Sequence, residues 1–318
     1  MKKYSLFIYS IMLLHWAPAQ HQKTDLDEMQ VKGKVKTVTE TEYRAAKKFG
    51  ELQKEAMKDS IIYTFNSFGN ILEKDLYVSQ RENATAILIT KDTYQYNEKG
   101  KVTQWDYFEL DEKNIKGDLL HKKKKLYSYN QKDLLTEINY YGETNNLTER
   151  DIYKCDSKDN VSEVNDYNGD GSLSRKYTYS YDSKGGLSES KFYNQNEVLQ
   201  ITYRYDVKGN QVEAIDNDKS YNGSKSLAKY DEQGNRTEVI IYEGDGSIRQ
   251  RTIITYDING YEMEKISSFP SRKTLNPDRK SVKSYEYDKK MNWVKMYTSG
   301  EFNEIFVTER IIVYSEIK

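Results

Sequence analysis

Hydrophobic and polar positions alternate along most of this chain, and one short motif interrupts the alternation at regular intervals. The motif is tyrosine, any residue, a second tyrosine and then Asp or Asn, typically with glycine three residues later. Alternation places both rings on one face of a strand, and the Asx-to-Gly step is typical of a type I turn. Each copy therefore predicts a β-hairpin. The Asx positions are 66, 97, 130, 156, 182, 206, 231, 257 and 288.

The strand that returns from each predicted turn has a pattern of its own. Glutamate stands seven residues after the Asx position in seven units, and Gln104 and Lys295 replace it in the other two. An aromatic residue usually follows four residues later, and then a second turn rich in Gly, Asn and Asp. Such a unit has room for two strands of about eight residues and two short turns. The glutamates are Glu73, Glu137, Glu163, Glu189, Glu213, Glu238 and Glu264.

These units predict a single all-β domain over residues 31–318, built of about ten hairpin repeats. The tenth copy, residues 311–315, lacks its second half. Twisted open sheets rarely exceed about ten strands without curling. We therefore expect a long meandering antiparallel sheet that curls into a C-shape, a spiral or a partly closed barrel. Residues 44–57 fit less well, because their composition also allows a helix. The repeat phase favours a hairpin that turns at Phe49 and Gly50.

The start of the chain has the features of a signal peptide. Two lysines precede the apolar stretch 4–16, and small residues at 17 and 19 provide a cleavage site. A membrane anchor is the alternative, but a spanning helix needs about 20 apolar residues. We expect residues 1–19 to be removed and residues 20–30 to form a flexible N-terminus. The mature protein is then expected in the periplasm, at the cell surface or outside the cell, without stable membrane insertion.

Composition changes this interpretation in two ways. Charged residues make up 31% of the chain and mean hydropathy is −0.92, a balance that favours disorder, but 29 tyrosines supply large rings that pack while their hydroxyls stay wet. Removal of the leader leaves 47 basic residues against 50 acidic ones, a net charge of about −3. That charge gives no general attraction to nucleic acid. The basic run 121–125 is interpreted as a solvated strand or loop.

No catalytic or metal-binding residue and no cofactor is predicted. The histidines of the mature chain are His21 and His121, and neither belongs to a pattern of nucleophile and base. Cys155, the only cysteine, occupies the place of a second tyrosine and is interpreted as a packing substitute. The sequence contains neither a phosphate-binding loop nor a Cys/His metal spacing.

Three further features have competing interpretations. Asp166, Asn168 and Asp170 match the opening of a calcium loop, but Tyr177 stands where the bidentate Glu belongs, and the segment coincides with a second turn. A structural turn is therefore favoured. The recurring glutamates are expected to lie beside neighbouring lysines or turns rather than to be catalytic. The two tryptophans on returning strands, 105 and 293, are interpreted as packing residues, although an exposed tryptophan on a concave sheet can stack on a sugar.

Tyr-Asp followed by Gly-Asn, in units of twenty-odd residues, resembles the YD repeats of the RHS family. The style is similar to that of exported RHS-like proteins of Bacteroidota, and the resemblance covers about residues 60–315. It implies a long antiparallel sheet that curls, and a location in the envelope or outside the cell. Large members of the family enclose a toxic C-terminal domain in a hollow shell. Because the last residues here, TERIIVYSEIK, still follow the repeat, we expect no such domain.

Three functions fit these expectations, and the residues that bind a ligand stay unknown. The favoured one is a non-catalytic envelope module that binds polysaccharide or protein on a curved sheet. The second is an assembly component that pairs through sheet edges, with a homodimer through the apolar C-terminal strand at residues 311–313. The third is a carboxylate-dependent glycan hydrolase, which is disfavoured because the acidic positions follow the repeat.

Overall fold

The computed structural model describes residues 23–49, 51–79, 85–111, 118–217, 223–270, 278–300 and 304–315, so the expected leader lies outside the described residues. They contain one short helix, α1 (Asp25–Glu28), and twenty strands. The strands are β1 (Val35–Lys48), β2 (Glu51–Phe65), β3 (Ile71–Val78), β4 (Ile87–Tyr96), β5 (Val102–Leu110), β6 (Leu119–Tyr129), β7 (Leu135–Tyr141), β8 (Leu147–Cys155), β9 (Val161–Asn168), β10 (Leu173–Tyr181), β11 (Leu187–Asn194), β12 (Leu199–Tyr205), β13 (Gln211–Asp216), β14 (Lys225–Tyr230), β15 (Arg236–Tyr242), β16 (Ile248–Tyr256), β17 (Glu262–Ser268), β18 (Arg279–Tyr287), β19 (Trp293–Ser299) and β20 (Ile305–Tyr314).

Every strand pairs antiparallel with the next one in the chain, and the last strand pairs with the first. The closing contact runs from Val35 opposite Tyr314 to Ala45 opposite Ile305. The prediction of an all-β antiparallel meander is confirmed, and the sheet closes into a barrel rather than a C-shape or a spiral. A ring of twenty strands about 4.8 Å apart and tilted by about 40° is on the order of 40 Å wide when circular. Side chains cannot fill an interior of that width.

Residues 31–60 form the hairpin that the repeat phase favours. Strands β1 and β2 contain 14 and 15 residues, and their pairing ends with Lys48 opposite Glu51. Thr41 Oγ1 and Ser60 Oγ share a hydrogen bond of 2.9 Å across this hairpin. The alternative of a helix at residues 44–57 was wrong, because the segment alternates in register with its partner strand.

Turns form at all nine predicted Asx positions with the same hydrogen bonds. In the turn of Asp206, its N–H donates to the Asn210 carbonyl and the Gly209 N–H donates back to the Asp206 carbonyl, both at 2.9 Å. The Asp206 carboxylate accepts from the N–H groups of Lys208 and Asn210 at 2.8 and 2.9 Å. Gly209 has a φ of +83°, which glycine adopts without strain. Met291 occupies the same place in the last turn with a φ of +62°.

The wall has two different faces, which follow from the distance to each Asx position. Residues two before the turn, such as Lys154 and Ser180, are exposed in all units but the first. Residues one and three before the turn, such as Tyr179 and Tyr181, are half-buried in most units. We call the surface with these tyrosines the tyrosine face and the opposite surface, which carries the recurring glutamates, the glutamate face.

In five units the second tyrosine of the motif ties the unit to the preceding one through the same hydrogen bond. The Tyr181 hydroxyl donates to the backbone carbonyl of Val161 at 2.8 Å, and Tyr129 does the same to Val102 at 2.8 Å. Tyr96, Tyr230 and Tyr256 repeat the bond on Ile71, Gln211 and Arg236. The acceptor always lies five residues after the preceding Asx. The bond explains why tyrosine rather than phenylalanine precedes most turns.

Residues 24–32, which we call the N-terminal strap, run along the barrel end that carries the Asx turns. The sequence assigned most of this segment to a flexible N-terminus, but in the structure α1 begins with a capping box between Thr24 and Asp27. Leu26 and Val31 are buried in a hydrophobic cluster with Val35, Val38 and Phe65.

The contacts of the strap show which face lies inside. The Leu26 N–H donates to the Gly69 carbonyl at 3.1 Å, and the Gln30 carbonyl accepts from the Tyr261 hydroxyl at 3.1 Å. Through this short segment Gly69 and Tyr261 are within about 20 Å of each other. The path between them along the wall crosses five to six strand spacings, about 26 Å. The strap therefore follows a chord on the concave side of the wall. The tyrosine face, against which the strap packs, lies on that concave side as well.

Barrel closure removes the open edge that the C-terminal strand was expected to present. Strand β20 pairs with β19 on one side and with β1 on the other. The predicted homodimer through residues 311–313 needs an unpaired β20 edge, which this structure does not offer. Among the described residues, no helix combines the length and the apolar character required to span a bilayer.

Candidate ligand-binding surface on the tyrosine face

Charged and aromatic side chains meet on the tyrosine face between β4 and β10. Each member lies an odd number of residues before an Asx position or an even number after one, which is the phase of this face. The set, which we call the aromatic–carboxylate patch, comprises Asp92, Trp105, Lys125, Tyr140, Glu149, Asp151, Asp166 and Arg175.

Trp105, Lys125 and Tyr140 form one cross-strand row of the patch. Lys125 lies opposite Trp105 on β5 and opposite Tyr140 on β7. Its ammonium group is 4.7 Å from the Trp105 ring centroid and 4.9 Å from that of Tyr140, a cation–π arrangement on both sides. Burial lowers the pKa of Lys125. The Trp105 indole N–H donates to Asp92 Oδ1 at 2.8 Å.

Asp151, Asp166 and Arg175 form the adjoining row. Asp151 lies opposite Asp166, which in turn lies opposite Arg175. The Tyr140 hydroxyl donates to Asp151 Oδ2 at 2.6 Å, and Arg175 Nε contacts Asp166 Oδ2 at 3.0 Å. Burial raises the pKa of both carboxyl groups, and the charge of Asp151 raises the pKa of Asp166 further, to about 7. With a pKa of about 7, the Asp166 carboxyl group is partly protonated near neutral pH.

The register places Asp151 and Asp166 directly opposite each other, so their charges interact. Their arrangement binds a proton and supports the neighbouring rings.

The recurring glutamates lie beside basic side chains, as the sequence analysis expected. Glu238 accepts from both Lys229 and Arg251 at 2.7 Å. Where Lys295 replaces the glutamate, it lies 3.7 Å from Glu309, which reverses the order of charges. The other partners are Lys91 for Glu73, Arg150 for Glu137, Lys154 and Lys176 for Glu163, Lys191 and Arg204 for Glu189, Arg204 for Glu213, and Lys280 for Glu264. The pairs explain the ladder by structure rather than by catalysis.

The segment that resembles a calcium loop forms a turn. Asp170 accepts from the N–H and the hydroxyl of Ser172 at 2.9 and 2.6 Å, and the Gly171 N–H donates to the Asn168 carbonyl. Asp166 lies on the tyrosine face, engaged by Arg175. The carboxylate of Asp166 therefore contacts Arg175, whereas that of Asp170 bonds to Ser172.

The remaining candidates are placed as follows. His121 and Asp106 share a hydrogen bond of 2.8 Å on the glutamate face, and the basic run that begins there belongs to β6. Cys155 is half-buried and burial raises the pKa of its thiol, which disfavours a reactive thiolate. Trp293 is buried, with the Arg310 guanidinium 3.5 Å from its ring centroid.

Sequence reasoning did not identify the patch, although its phase was available. Lys125 and Asp151 both stand five residues before an Asx position, and Tyr140 and Asp166 both stand ten residues after one. When these two positions are compared between units, charged residues recur in neighbouring units, and all of them lie on one face of the sheet.

No protein-family profile matches this chain, and no curated protein matches it. Solved structures resemble it at low similarity. A porin-like protein from Bacteroides uniformis has 10% identity and a TM-score of 0.33, over 87% of this chain and 97% of that protein. A porin-like protein from Bacteroides vulgatus has 12% identity and a TM-score of 0.23, over 90% of this chain and all of that protein. The complex TcdB2-TccC3 has 11% identity and a TM-score of 0.31, over 85% of this chain but 19% of that complex. Similarity at this level supports no functional assignment, and the YD-repeat resemblance stays a prediction.

Proposed function

We propose that this protein is a non-catalytic, exported binding module of the cell envelope, and that it binds polysaccharide on the tyrosine face. The row of Trp105, Lys125 and Tyr140 is the observation that carries the proposal. Aromatic faces stack on the C–H surfaces of sugars, and neighbouring charged groups accept or donate hydrogen bonds to sugar hydroxyls. The three side chains are half-buried, so a part of each stays exposed to a ligand on the tyrosine face.

Export supports the same role. The leader predicted from the sequence is expected to direct the chain out of the cytoplasm, and the YD-repeat resemblance implies the envelope or the exterior. The proposal places the mature protein in the periplasm, at the surface or outside the cell, without a cofactor. The ligand lies along the wall, since the recurring tyrosines continue the aromatic surface of the patch onto the strands on either side of it.

Affinity electrophoresis of the mature protein in gels that contain neutral, uronic acid or amino-sugar polysaccharides tests the proposal. We expect one class to retard the protein and Tyr140→Leu to weaken the retardation about tenfold. The matched control is Tyr141→Leu. Tyr141 lies on the other face of β7 beneath Lys124, whose ammonium is 4.8 Å from its ring. Equal effects of the two variants, or no retardation by any polysaccharide, would reject the proposal.

An assembly component remains the second candidate. The pairing of β20 with β1 removes the edge first expected to serve it, but the tip of the β1–β2 hairpin reaches beyond its neighbours. Assembly predicts a fixed envelope protein that co-purifies with the full chain and is lost when residues 46–53 are replaced by a short turn. A partner that survives this replacement would argue against assembly through the hairpin.

A further inference from the structure

The β1–β2 hairpin extends past the strands on either side of it. The pairing of β1 with β20 ends with Ala45 opposite Ile305, and the pairing of β2 with β3 ends with Asp59 opposite Val78. Among the strands that the structure describes, residues 46–48 therefore pair only with residues 51–53, and the continuation of β2 pairs only with β1, as Lys54 opposite Ala45 and Met57 opposite Tyr43. We call residues 46–49 and 51–57 the ribbon. It extends the barrel at the end opposite the N-terminal strap.

Phe49, at the tip of the ribbon, combines two unfavourable features. Its side chain is fully exposed, and its φ is +55°. A positive φ is a conformational outlier for a bulky residue, whereas Asn or Gly adopts it readily in a hairpin turn. The phenylalanine therefore costs the folded state free energy and gives the barrel no packing. A strained residue that the fold does not require points to a contact outside the barrel.

The charges around the tip are mainly basic. Arg44 and Lys47 are exposed and make no ion pair within the described part of the chain. Lys48 pairs with Glu55 at 3.1 Å, and Lys54 reaches down the wall to Glu309 at 2.7 Å. Glu51 is also exposed beside the tip, so residues 44–55 contain four basic residues against two acidic ones. The fully exposed ring therefore lies in a segment of net positive charge.

Exposed apolar residues at the other end of the barrel lack this combination. Ile258 and Val207 are also highly exposed, but each follows the Asx residue of a turn and neither has a positive φ. The turn of Ile258 contains Asp257 and no basic residue, and the turn of Val207 contains Asp206 and Lys208, so neither turn has a net positive charge. Exposure alone therefore does not distinguish Phe49, whereas strain and charge do.

We propose that the ribbon docks the barrel onto an anionic lipid surface. In the docked state the Phe49 ring enters the interface between headgroups and acyl chains, and Arg44 and Lys47 lie against lipid phosphates. An aromatic residue beside basic ones is the combination that binds such an interface. One ring and two or three cations give weak, reversible binding rather than insertion. The docking is independent of polysaccharide binding on the tyrosine face.

Co-sedimentation of the mature protein with vesicles tests the proposal. The probes are vesicles of phosphatidylcholine alone and of phosphatidylcholine with 30 mol% phosphatidylglycerol. We expect binding to the anionic vesicles at least tenfold stronger than to the neutral ones, and its loss in 0.5 M salt, because the cations contribute by a screened attraction. Phe49→Asn should weaken binding about tenfold and raise the melting temperature, since Asn tolerates the positive φ.

Ile258→Asn is the matched control, because it removes an equally exposed apolar side chain at the other end. It should bind anionic vesicles like the parent protein. The double variant Arg44→Gln/Lys47→Gln should lose the preference for anionic vesicles and keep its melting temperature. Three results would overturn the proposal: no binding to anionic vesicles, parental binding by Phe49→Asn, or equal losses in Phe49→Asn and Ile258→Asn. A ribbon that serves a protein partner gives the first of these.

Discussion

Asp151 on β8 and Asp166 on β9 lie directly opposite each other in the antiparallel pairing. Both side chains are buried, with 8% and 6% of their surfaces exposed. Burial raises the pKa of each, and Asp151 raises that of Asp166 to about 7. The Tyr140 hydroxyl and Arg175 hold the two carboxyl groups in place from either side. The patch at the proposed ligand surface therefore contains a proton that leaves as the pH rises through neutrality.

The first prediction concerns the pH dependence of stability. The folded pair keeps a proton that the unfolded chain releases above its ordinary pKa of 3.8. Its contribution is therefore full below about pH 4 and is lost as the pH rises to about 7. Asp151→Asn removes one charge and keeps the acceptor for Tyr140, so we expect it to raise the free energy of unfolding by about 1 kcal/mol at pH 8. Urea denaturation at pH 4, 6 and 8 measures the effect.

A second carboxylate checks the sign of this prediction. Asp170 accepts hydrogen bonds from Ser172, and these bonds lower the pKa of its carboxyl group. Asp170→Asn should therefore lower the free energy of unfolding above pH 4, and the difference should disappear as the pH falls through the lowered pKa of Asp170. A pH profile of Asp151→Asn that parallels that of the parent protein would contradict the proton that the folded pair keeps.

The second prediction uses the one unit in which cysteine replaces the second tyrosine. By the recurring geometry, a hydroxyl at position 155 would reach the Leu135 carbonyl, as Tyr181 reaches Val161. Cys155→Tyr should raise the free energy of unfolding by about 1 kcal/mol through this bond, beyond the gain from ring burial. Cys155→Phe adds the ring without the hydroxyl. Equal stability of the two variants in urea denaturation would show that the predicted hydrogen bond does not form.

The local sequence pattern was sufficient to predict the strands and turns of this protein. The bonds at Asp206 follow from the residue types at the turn, and the pairing of Glu238 with Lys229 follows from their opposite places in a hairpin. Both depend on contacts within about ten residues. The hairpin at residues 44–57 followed from phase even though its composition allowed a helix.

Barrel closure and the aromatic–carboxylate patch depend on contacts between residues far apart in sequence, which a local pattern cannot predict. Val38 lies opposite Ile312 only because the curvature of all the intervening hairpins brings the first and last strands together. Asp166 suggested a calcium ligand because its neighbours in sequence match such a loop, yet its partners are Asp151 on the preceding strand and Arg175 on the next one. Phase alone assigns it to the tyrosine face. Identifying the partner across the strand requires the register as well.

The third prediction concerns strain in the last Asx turn. Met291 has a φ of +62° where most turns have glycine. Met291→Gly removes the strain but enlarges the freedom of the unfolded chain, so the net gain is a few tenths to about 1 kcal/mol. Asp159 occupies the same turn position with a φ of +67° and contacts Lys132 at 2.8 Å. Because Asp tolerates this conformation and has a partner, Asp159→Gly should give no gain. Thermal denaturation of the two variants decides between strain and a general effect of glycine.

The fourth prediction concerns the anchor of the N-terminal strap. Asn292 is completely buried, and its amide donates to the Lys32 carbonyl at 3.0 Å and to the Tyr314 hydroxyl at 2.8 Å. Its Oδ1 accepts from the Lys32 N–H at 2.6 Å. Asn292→Ala leaves these buried groups without their partner, which should cost about 2–4 kcal/mol of the free energy of unfolding. The strap should also become accessible to proteases.

Asn235 provides the matched control for this anchor. It stands four residues after Asp231, as Asn292 stands after Asp288, and its amide likewise donates to the carboxylate of its own turn, at 2.9 Å. Asn235→Ala should therefore cost only about 1 kcal/mol, the value of a partly exposed hydrogen bond. Hydrogen exchange should show faster exchange in residues 24–32 for Asn292→Ala and no change there for Asn235→Ala. Equal costs for the two variants, with the strap still protected in both, would mean that the strap is held by Leu26 and its apolar neighbours rather than by Asn292.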